Sequence, residues 1–275
     1  LGYKQAHYSS VEIPVIMPKP LLMPLSGGYR KTPVMQNGAD VYCDTAIICR
    51  LIDRLYPDST IYPEAFDAAN NALANWTDTF FFRVAVAIAF QPKAMIDNPL
   101  FSDPEAAAAF MADRAELSKG GLQIRMEFEM AMPYFLAHMK HLDKQLSDGG
   151  FLFGDKPAAA DFSTYHCCWF VYSRDAIRDM LDPFPNVVSW IQRMMAFGHG
   201  NVTHITGDAA LDIASKAEPL GDEVMGSMHP GELKPGDDVE IIPTDYGLIP
   251  VQGKLQIASL EELAIRRTDA RVGNI

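Results

Sequence analysis

The short-range pattern of apolar and polar residues changes twice along the chain. Up to about residue 60 it is β-like in short pieces. Residues 11–17 are β-branched and apolar, which predicts a strand, and Pro14 within them points to an edge or irregular position. After a loop rich in Pro and Gly, residues 32–36 and 39–43 flank Asn37-Gly38. That dipeptide suits positive φ at both centres of a type I′ turn, so a hairpin is predicted. From Thr45 the apolar residues Ile47, Ile48, Leu51, Ile52 and Leu55 recur at helical spacing until Pro57 closes the segment.

From Pro63 helical spacing takes over, at about 64–90, 104–117, 122–147, 158–180 and 186–197. Pro133 inside the third of these predicts a kink or break, because it removes a backbone donor. Near residue 207 the pattern changes again. Turn signals at Pro230-Gly231, Pro235-Gly236 and Tyr246-Gly247 separate strand-like runs at 239–242 and 254–257, with one helical turn expected at 260–265. The organisation expected is an α+β part at 1–60, an all-α part at 61–206 and a small β-rich extension at 207–275. No internal repeat is visible.

Composition narrows the function classes. A chain of 275 residues is long enough for two cores. The formal charge of −12 argues against nucleic acid as a general partner, since phosphate binding draws on clustered Lys and Arg. No apolar run reaches the roughly 18 to 20 residues that a membrane helix needs. The four cysteines, Cys43, Cys49, Cys167 and Cys168, form no CxxC pair, so neither a disulfide framework nor a zinc site is indicated, and a reducing, cytoplasmic compartment is expected. The first residues carry no basic segment followed by an apolar one, so no signal peptide is read there. His138 and His141 stand three apart on one helical pattern, but there is no HExxH and no third ligand at diagnostic spacing, so no metal is expected. GxSxG, GxGxxG and Walker signatures are also missing. Cys43 precedes the helix start, where a thiolate could be stabilised; the plainer reading is a small apolar side chain in strand alternation. Cys167 and Cys168 read as core filler.

The sharpest local chemistry lies at Lys31-Thr32-Pro33-Val34, entering the hairpin, and at Asp44-Thr45, opening the next helix. A proline heading a strand has no N–H for the ladder, and an X–Pro bond is where a cis peptide costs little. With Thr32-Pro33 cis, the backbone of Thr32 would turn outward, free to pair with an extended peptide as an added strand does. Asp44 or Thr45 can cap the helix, whose unpaired N–H groups and positive dipole end suit a carboxylate. One peptide with a free carboxylate could satisfy both places.

These residues carry a resemblance. Gly28-Tyr-Arg-Lys-Thr-Pro-Val-Met-Gln-Asn-Gly38 followed by Val41-Tyr-Cys-Asp-Thr-Ala-Ile-Ile48 resembles the second half of a glutathione transferase N-terminal domain. Phe151-Leu-Phe-Gly-Asp-Lys-Pro-Ala-Ala-Ala-Asp-Phe162 resembles the family's element opening a buried helix, and Pro185-Asn-Val-Val-Ser-Trp190 its closing helix. The motifs keep the family's order over roughly residues 1–200. The fold implied is a thioredoxin-like N-terminal domain, with its first strand and most of its first helix outside this sequence, followed by a helical bundle domain.

The resemblance also implies roles. Thr32 would pair through its backbone with the cysteinyl part of glutathione beside a cis Pro33. Asp44 and Thr45 would hold the γ-glutamyl end, and Lys31 the glycyl carboxylate. Trp76 and Phe80, on the first long helix, would border the co-substrate cleft. The residue that activates the thiol, a Tyr, Ser or Cys in the family, is expected ahead of Leu1. About 20 preceding residues are also expected from the need to pair the first strand's backbone. Ala158 stands where the family places a capping Ser or Thr, so that helix is expected to lose a cap worth about 1 kcal/mol while Asp161 still complements the dipole. The function implied is transfer of glutathione, bound as thiolate, to a small apolar electrophile by a cytoplasmic homodimer. The alternative is a non-catalytic binding or regulatory protein on the same fold, to which the β-rich extension lends some weight.

Overall fold

The computed structural model describes residues 1–96, 101–122, 126–220 and 233–275; the turn signal at Pro230-Gly231 lies outside them. Along the chain these residues form β1 (His7–Ser10), α1 (Met23–Ser26), β2 (Val34–Asn37), β3 (Asp40–Cys43), α2 (Thr45–Leu55), α3 (Asp67–Trp76), α4 (Phe82–Ala89), α5 (Pro92–Met95) and α6 (Pro104–Leu117). There follow α7 (Phe128–Gln145), α8 (Ala159–Tyr172), α9 (Pro185–Met195), β4 (Asn201–His204), α10 (Gly207–Lys216), β5 (Asp238–Ile241), β6 (Val251–Ala258), β7 (Leu263–Arg266), β8 (Thr268–Asp269) and β9 (Gly273–Asn274). They pack as two compact units. One comprises Leu1–Ala6, Leu55–Ala109 and Gln123–Asn201; the other comprises His7–Arg54, Phe110–Leu122 and Val202–Ile275.

The first unit is helical, as the 3.6-residue spacing after Pro63 predicts. Its core gathers Phe81, Ile88, Phe135, Met139, Trp190 and Ile191, all fully buried. The long pattern over 64–90 is interrupted by a π turn at Thr77–Phe81 between α3 and α4. There the Thr79 hydroxyl donates to the Asn75 carbonyl at 2.6 Å, a side chain competing for a helix acceptor. Pro133 lies in the second turn of α7, and the helix runs on through it without a break.

The start of α8 departs from expectation. Ala158 offers no capping hydroxyl, yet the orphan donors have partners. The Ala159 N–H donates to the Ile61 carbonyl at 2.8 Å, and the Ala160 N–H to Asn70 Oδ1 at 2.9 Å. Asn70 is itself fully buried and held by its amide on the Ile61 carbonyl at 3.1 Å. The cap is therefore supplied from α3 rather than lost. Asp161, also fully buried, closes the arrangement: its carboxylate accepts the Ala158 N–H at 2.9 Å, the Leu152 N–H at 3.0 Å and the Trp190 indole N–H at 2.9 Å. Burial pushes the Asp161 carboxyl up, and these three donors pull it back.

The second unit carries the hairpin. Its register pairs Val34 with Cys43, Met35 with Tyr42, Gln36 with Val41 and Asn37 with Asp40. The two-residue turn is therefore Gly38-Ala39, one residue later than predicted. Only Gly38, at φ 64°, is left-handed, so the turn is not type I′. Residues 11–17 are not a strand. The Met17 N–H donates to Asp113 Oδ1 at 3.0 Å and the Val15 carbonyl accepts from Arg114 at 2.9 Å, so side chains of α6 take the bonds a ladder would have made. The strand instead lies earlier, at β1, which pairs with β4.

The C-terminal residues are more than a β-rich appendage. They include α10, capped by Thr206, whose hydroxyl accepts the Ala209 N–H at 3.2 Å. Strands β5, β6 and β7 form an antiparallel sheet in that order, and β7 takes the place of the predicted helical turn. There the Ser259 hydroxyl accepts the N–H groups of Glu261 and Glu262 at 3.2 and 2.9 Å and turns the chain back as a hairpin. Leu211, Ala214, Val272 and Ile275 form the buried core of this unit together with Leu25, and Leu21 and Val41 pack against it.

Asp161→Ala leaves three buried donors without an acceptor. It is expected to cost about 4 kcal/mol in chemical denaturation, at roughly 1–3 kcal/mol for each strongly held group with partial relaxation. A loss below about 1 kcal/mol would show that water replaces the carboxylate.

Candidate functional site

The pairing of Val34 with Cys43 brings the residues just before β2 alongside those just after β3. Thr32 and Pro33 therefore come to the same end of the hairpin as Asp44 and Thr45. All four are exposed. The Thr32-Pro33 bond is cis. Between β3 and α2 there is no linker: Asp44 makes the corner alone, at φ 91°. Asp is among the few side chains that tolerate this left-handed region, because its short carboxylate can bond the local backbone. Here Asp44 Oδ1 accepts the Ala46 N–H at 2.8 Å, and the Asp44 carbonyl accepts the Ile48 N–H at 3.1 Å. Asp44 is thus the cap, and Thr45 is the first helical residue. A capping carboxylate keeps a second oxygen able to receive an ammonium group.

Lys31 stands differently. Its side chain is only 13% exposed, and its ammonium pairs with Asp245 Oδ1 at 2.6 Å. The same ammonium lies 4.5 Å from the ring centroid of Tyr246 and 5.4 Å from that of Tyr29. Burial pushes both phenols up; Asp44 is the next cause at Tyr29, and Asp245 at Tyr246. Both stay protonated hydroxyls at neutral pH. Nearby, Arg30 pairs with Asp113, and Lys19 donates to the Arg30 carbonyl at 3.2 Å. Burial, then Arg114 and Arg30, lower the Lys19 ammonium.

Tyr29, Asp245 and Tyr246 are neighbours of Lys31 that the sequence does not single out. Tyr29 lies within the motif quoted for the hairpin, but Asp245 is 214 residues away and appears in the sequence only beside a turn dipeptide.

Cys43 fits the bland reading. Burial pushes its thiol up to about 11, and the opposing pull of Arg267 is smaller. Cys167 and Cys168 are buried in the helical core, with Cys168 pushed up to about 12 by burial.

Trp76 and Phe80 belong to the helical unit. Their rings lie 5.8 Å apart; Trp76 stacks on Phe81 at 5.5 Å, and Phe80 meets Tyr134 edge-on at 5.1 Å. Trp76 remains 36% exposed, so this cluster keeps an open apolar face. His138, whose pairing with His141 carries no metal signature in the sequence, is tucked against Phe81 at 4.4 Å and Trp76 at 4.9 Å. Among the described residues no group of three potential metal ligands occurs.

Comparison with known proteins identifies the family. The model of the glutathione S-transferase N-terminal domain matches residues 1–60, and that of the C-terminal domain matches residues 105–193. A GST-like protein from Pseudomonas syringae is 37% identical, with a TM-score of 0.84 over 100% of this chain and 87% of its own. The chain belongs to the glutathione S-transferase family. More remote are a glutathione S-transferase from Rhodospirillum rubrum F11 (16% identity, 66% of this chain and 72% of that one, TM-score 0.43) and a β-etherase from Sphingobium sp. strain SYK-6 (16% identity, 63% and 77%, TM-score 0.43). No curated protein is significantly similar to the chain.

The ring packing of His138 has a consequence for pH. Burial, and secondarily His141, lower its imidazole to about 4. Because the folded chain resists protonation there, the unfolded chain binds the extra proton between about pH 6.5 and 4, and stability falls as pH drops through that window. The loss attributable to this group is at most about 3 kcal/mol. His138→Phe, which keeps the ring, is expected to flatten that part of the stability profile in denaturant titrations at pH 7 and pH 4.5. An unchanged slope would assign the acid sensitivity to other groups.

Proposed function

We propose that this chain is a glutathione-dependent transferase that binds the tripeptide at the end of the β2–β3 hairpin and acts on a small, apolar electrophile. The observation that carries the reading is the convergence of Thr32-Pro33 and Asp44-Thr45 at one exposed end of the hairpin, enforced by the Val34–Cys43 pairing. An extended peptide backbone can pair with Thr32. The γ-glutamyl carboxylate then meets the first turn of α2 and the Thr45 hydroxyl, where the helix end favours negative charge. The γ-glutamyl ammonium meets Asp44. Lys31 is assigned to the glycyl carboxylate.

In the reaction, the glutathione sulfur loses its proton to solvent and attacks an electrophilic carbon. A C–S bond forms and the leaving group departs with its electron pair. Trp76 and Phe80 are proposed to receive the apolar co-substrate. The family's dimeric habit and a cytoplasmic location complete the proposal, and no metal takes part in it.

One observation favours the rival, non-catalytic reading: Lys31 already carries the carboxylate of Asp245. Isothermal titration with glutathione separates the two. The parent chain is expected to bind, and Thr45→Ala and Asp44→Asn each to weaken binding tenfold or more. Asn keeps both the left-handed corner and the cap, so the second variant reports on charge rather than folding. Absence of heat with the parent and with every variant that frees Lys31 would favour the partner-platform reading.

A further inference from the structure

The loop that meets Lys31 is held in place by the backbone on both sides of Asp245. The Asp245 carbonyl accepts the Leu122 N–H at 2.7 Å, and the Gly247 N–H donates to the Leu117 carbonyl at 2.8 Å. Two glycines permit this approach. A Cβ on Gly121 would lie 2.5 Å from the Asp245 carbonyl oxygen and 3.0 Å from Tyr246 Cα, and one on left-handed Gly247 would lie 2.9 Å from Leu117 Cδ1. The loop is thus pinned at the end of α6, and the Asp245 side chain projects from it onto the ammonium of Lys31, itself enclosed by Tyr29 and Tyr246. Asp245 keeps 39% of its side chain in solvent, so it can turn into water without its backbone moving. An ammonium between two rings accommodates one carboxylate well. A second would leave a net negative charge in half-buried surroundings.

We propose that Asp245 is an internal competitor for the place on Lys31 that a ligand's terminal carboxylate would take, so that the C-terminal loop holds the affinity for glutathione below what the hairpin end alone would give. The inference rests on the proposed glutathione site and adds to it a specificity device from the C-terminal residues. With Asp245 in place, the site gains little from a charged glycyl end. It should therefore accept a γ-glutamylcysteinyl peptide with an uncharged carboxyl end about as readily as glutathione. With Asp245 neutralised, the charged end should be strongly preferred.

The test titrates glutathione and its glycyl monoethyl ester into the parent protein and into Asp245→Asn, Lys31→Met and the double variant, with circular dichroism and melting temperature checking the fold. The expected result is that Asp245→Asn tightens glutathione about tenfold and leaves the ester within twofold. Lys31→Met should abolish the gain in the double variant. Gly121→Ala, which pushes the loop away without altering any charge, should tighten glutathione in the same direction. If the parent binds glutathione and Asp245→Asn does not tighten it, or tightens acid and ester equally, the competitor is disproved while the glutathione site stands. If neither the parent nor any variant binds, both readings fall together.

Discussion

The single-residue corner at Asp44 is the constraint from which the candidate site follows. A strand that runs directly into a helix must reverse its backbone within one residue. At φ 91° only glycine or a short polar side chain does so at small cost. Asp44 turns that necessity into a cap by bonding Ala46. The corner fixes where the amino end of α2 points, and the hairpin register fixes what lies beside it. With Val34 opposite Cys43, Thr32-Pro33 is brought alongside that helix end. The candidate site thus arises from backbone geometry before any side-chain chemistry is invoked.

A hairpin of two four-residue strands cannot sustain itself in water. Here it leans on residues far along the chain. The Gln36 amide donates to the Ala210 carbonyl of α10 at 2.9 Å, and Val41 packs on the core made by Leu25, Leu211, Ala214, Val272 and Ile275. The last seventy or so residues therefore complete the unit that carries the site. Their evident physical role is burial, on the scale of roughly 1.5–3 kcal/mol per fully buried aliphatic side chain. Because the same residues also present Asp245 to Lys31, support of the fold and the proposed adjustment of the site are joined in one segment.

Much of this was legible in the sequence, and the remainder shares a cause. Apolar spacing located α2 and α9 to within a residue or two, since those helices bury one face against a core; α6 was located as well, although only its last residue, Leu117, is buried. The motif around Thr32-Pro33 and Asp44-Thr45 was readable because its chemistry is local. What escaped depends on distant partners. The run at 11–17 looks like a strand, but its backbone bonds go to Asp113 and Arg114. The hairpin turn moved one residue because its register answers to packing as well as to Asn37-Gly38. The missing cap at Ala158 is made good by Asn70, and nothing near Ala158 in sequence signals that. Helix α10 did carry its own start signal in Thr206, which the turn-rich residues after it obscured. Lys31 is the most telling case: its charge could be read, but the acid that occupies it could not.

One small peptide is proposed to touch both the residues before β2 and the first turn of α2. The most direct measurement is an amide-resolved NMR titration of isotope-labelled protein with glutathione. Saturable shifts are predicted at the amides of Thr32, Val34, Thr45 and Ala46, together and with one binding constant. Saturable shifts confined to other residues, or these four unmoved at millimolar peptide, would contradict the account.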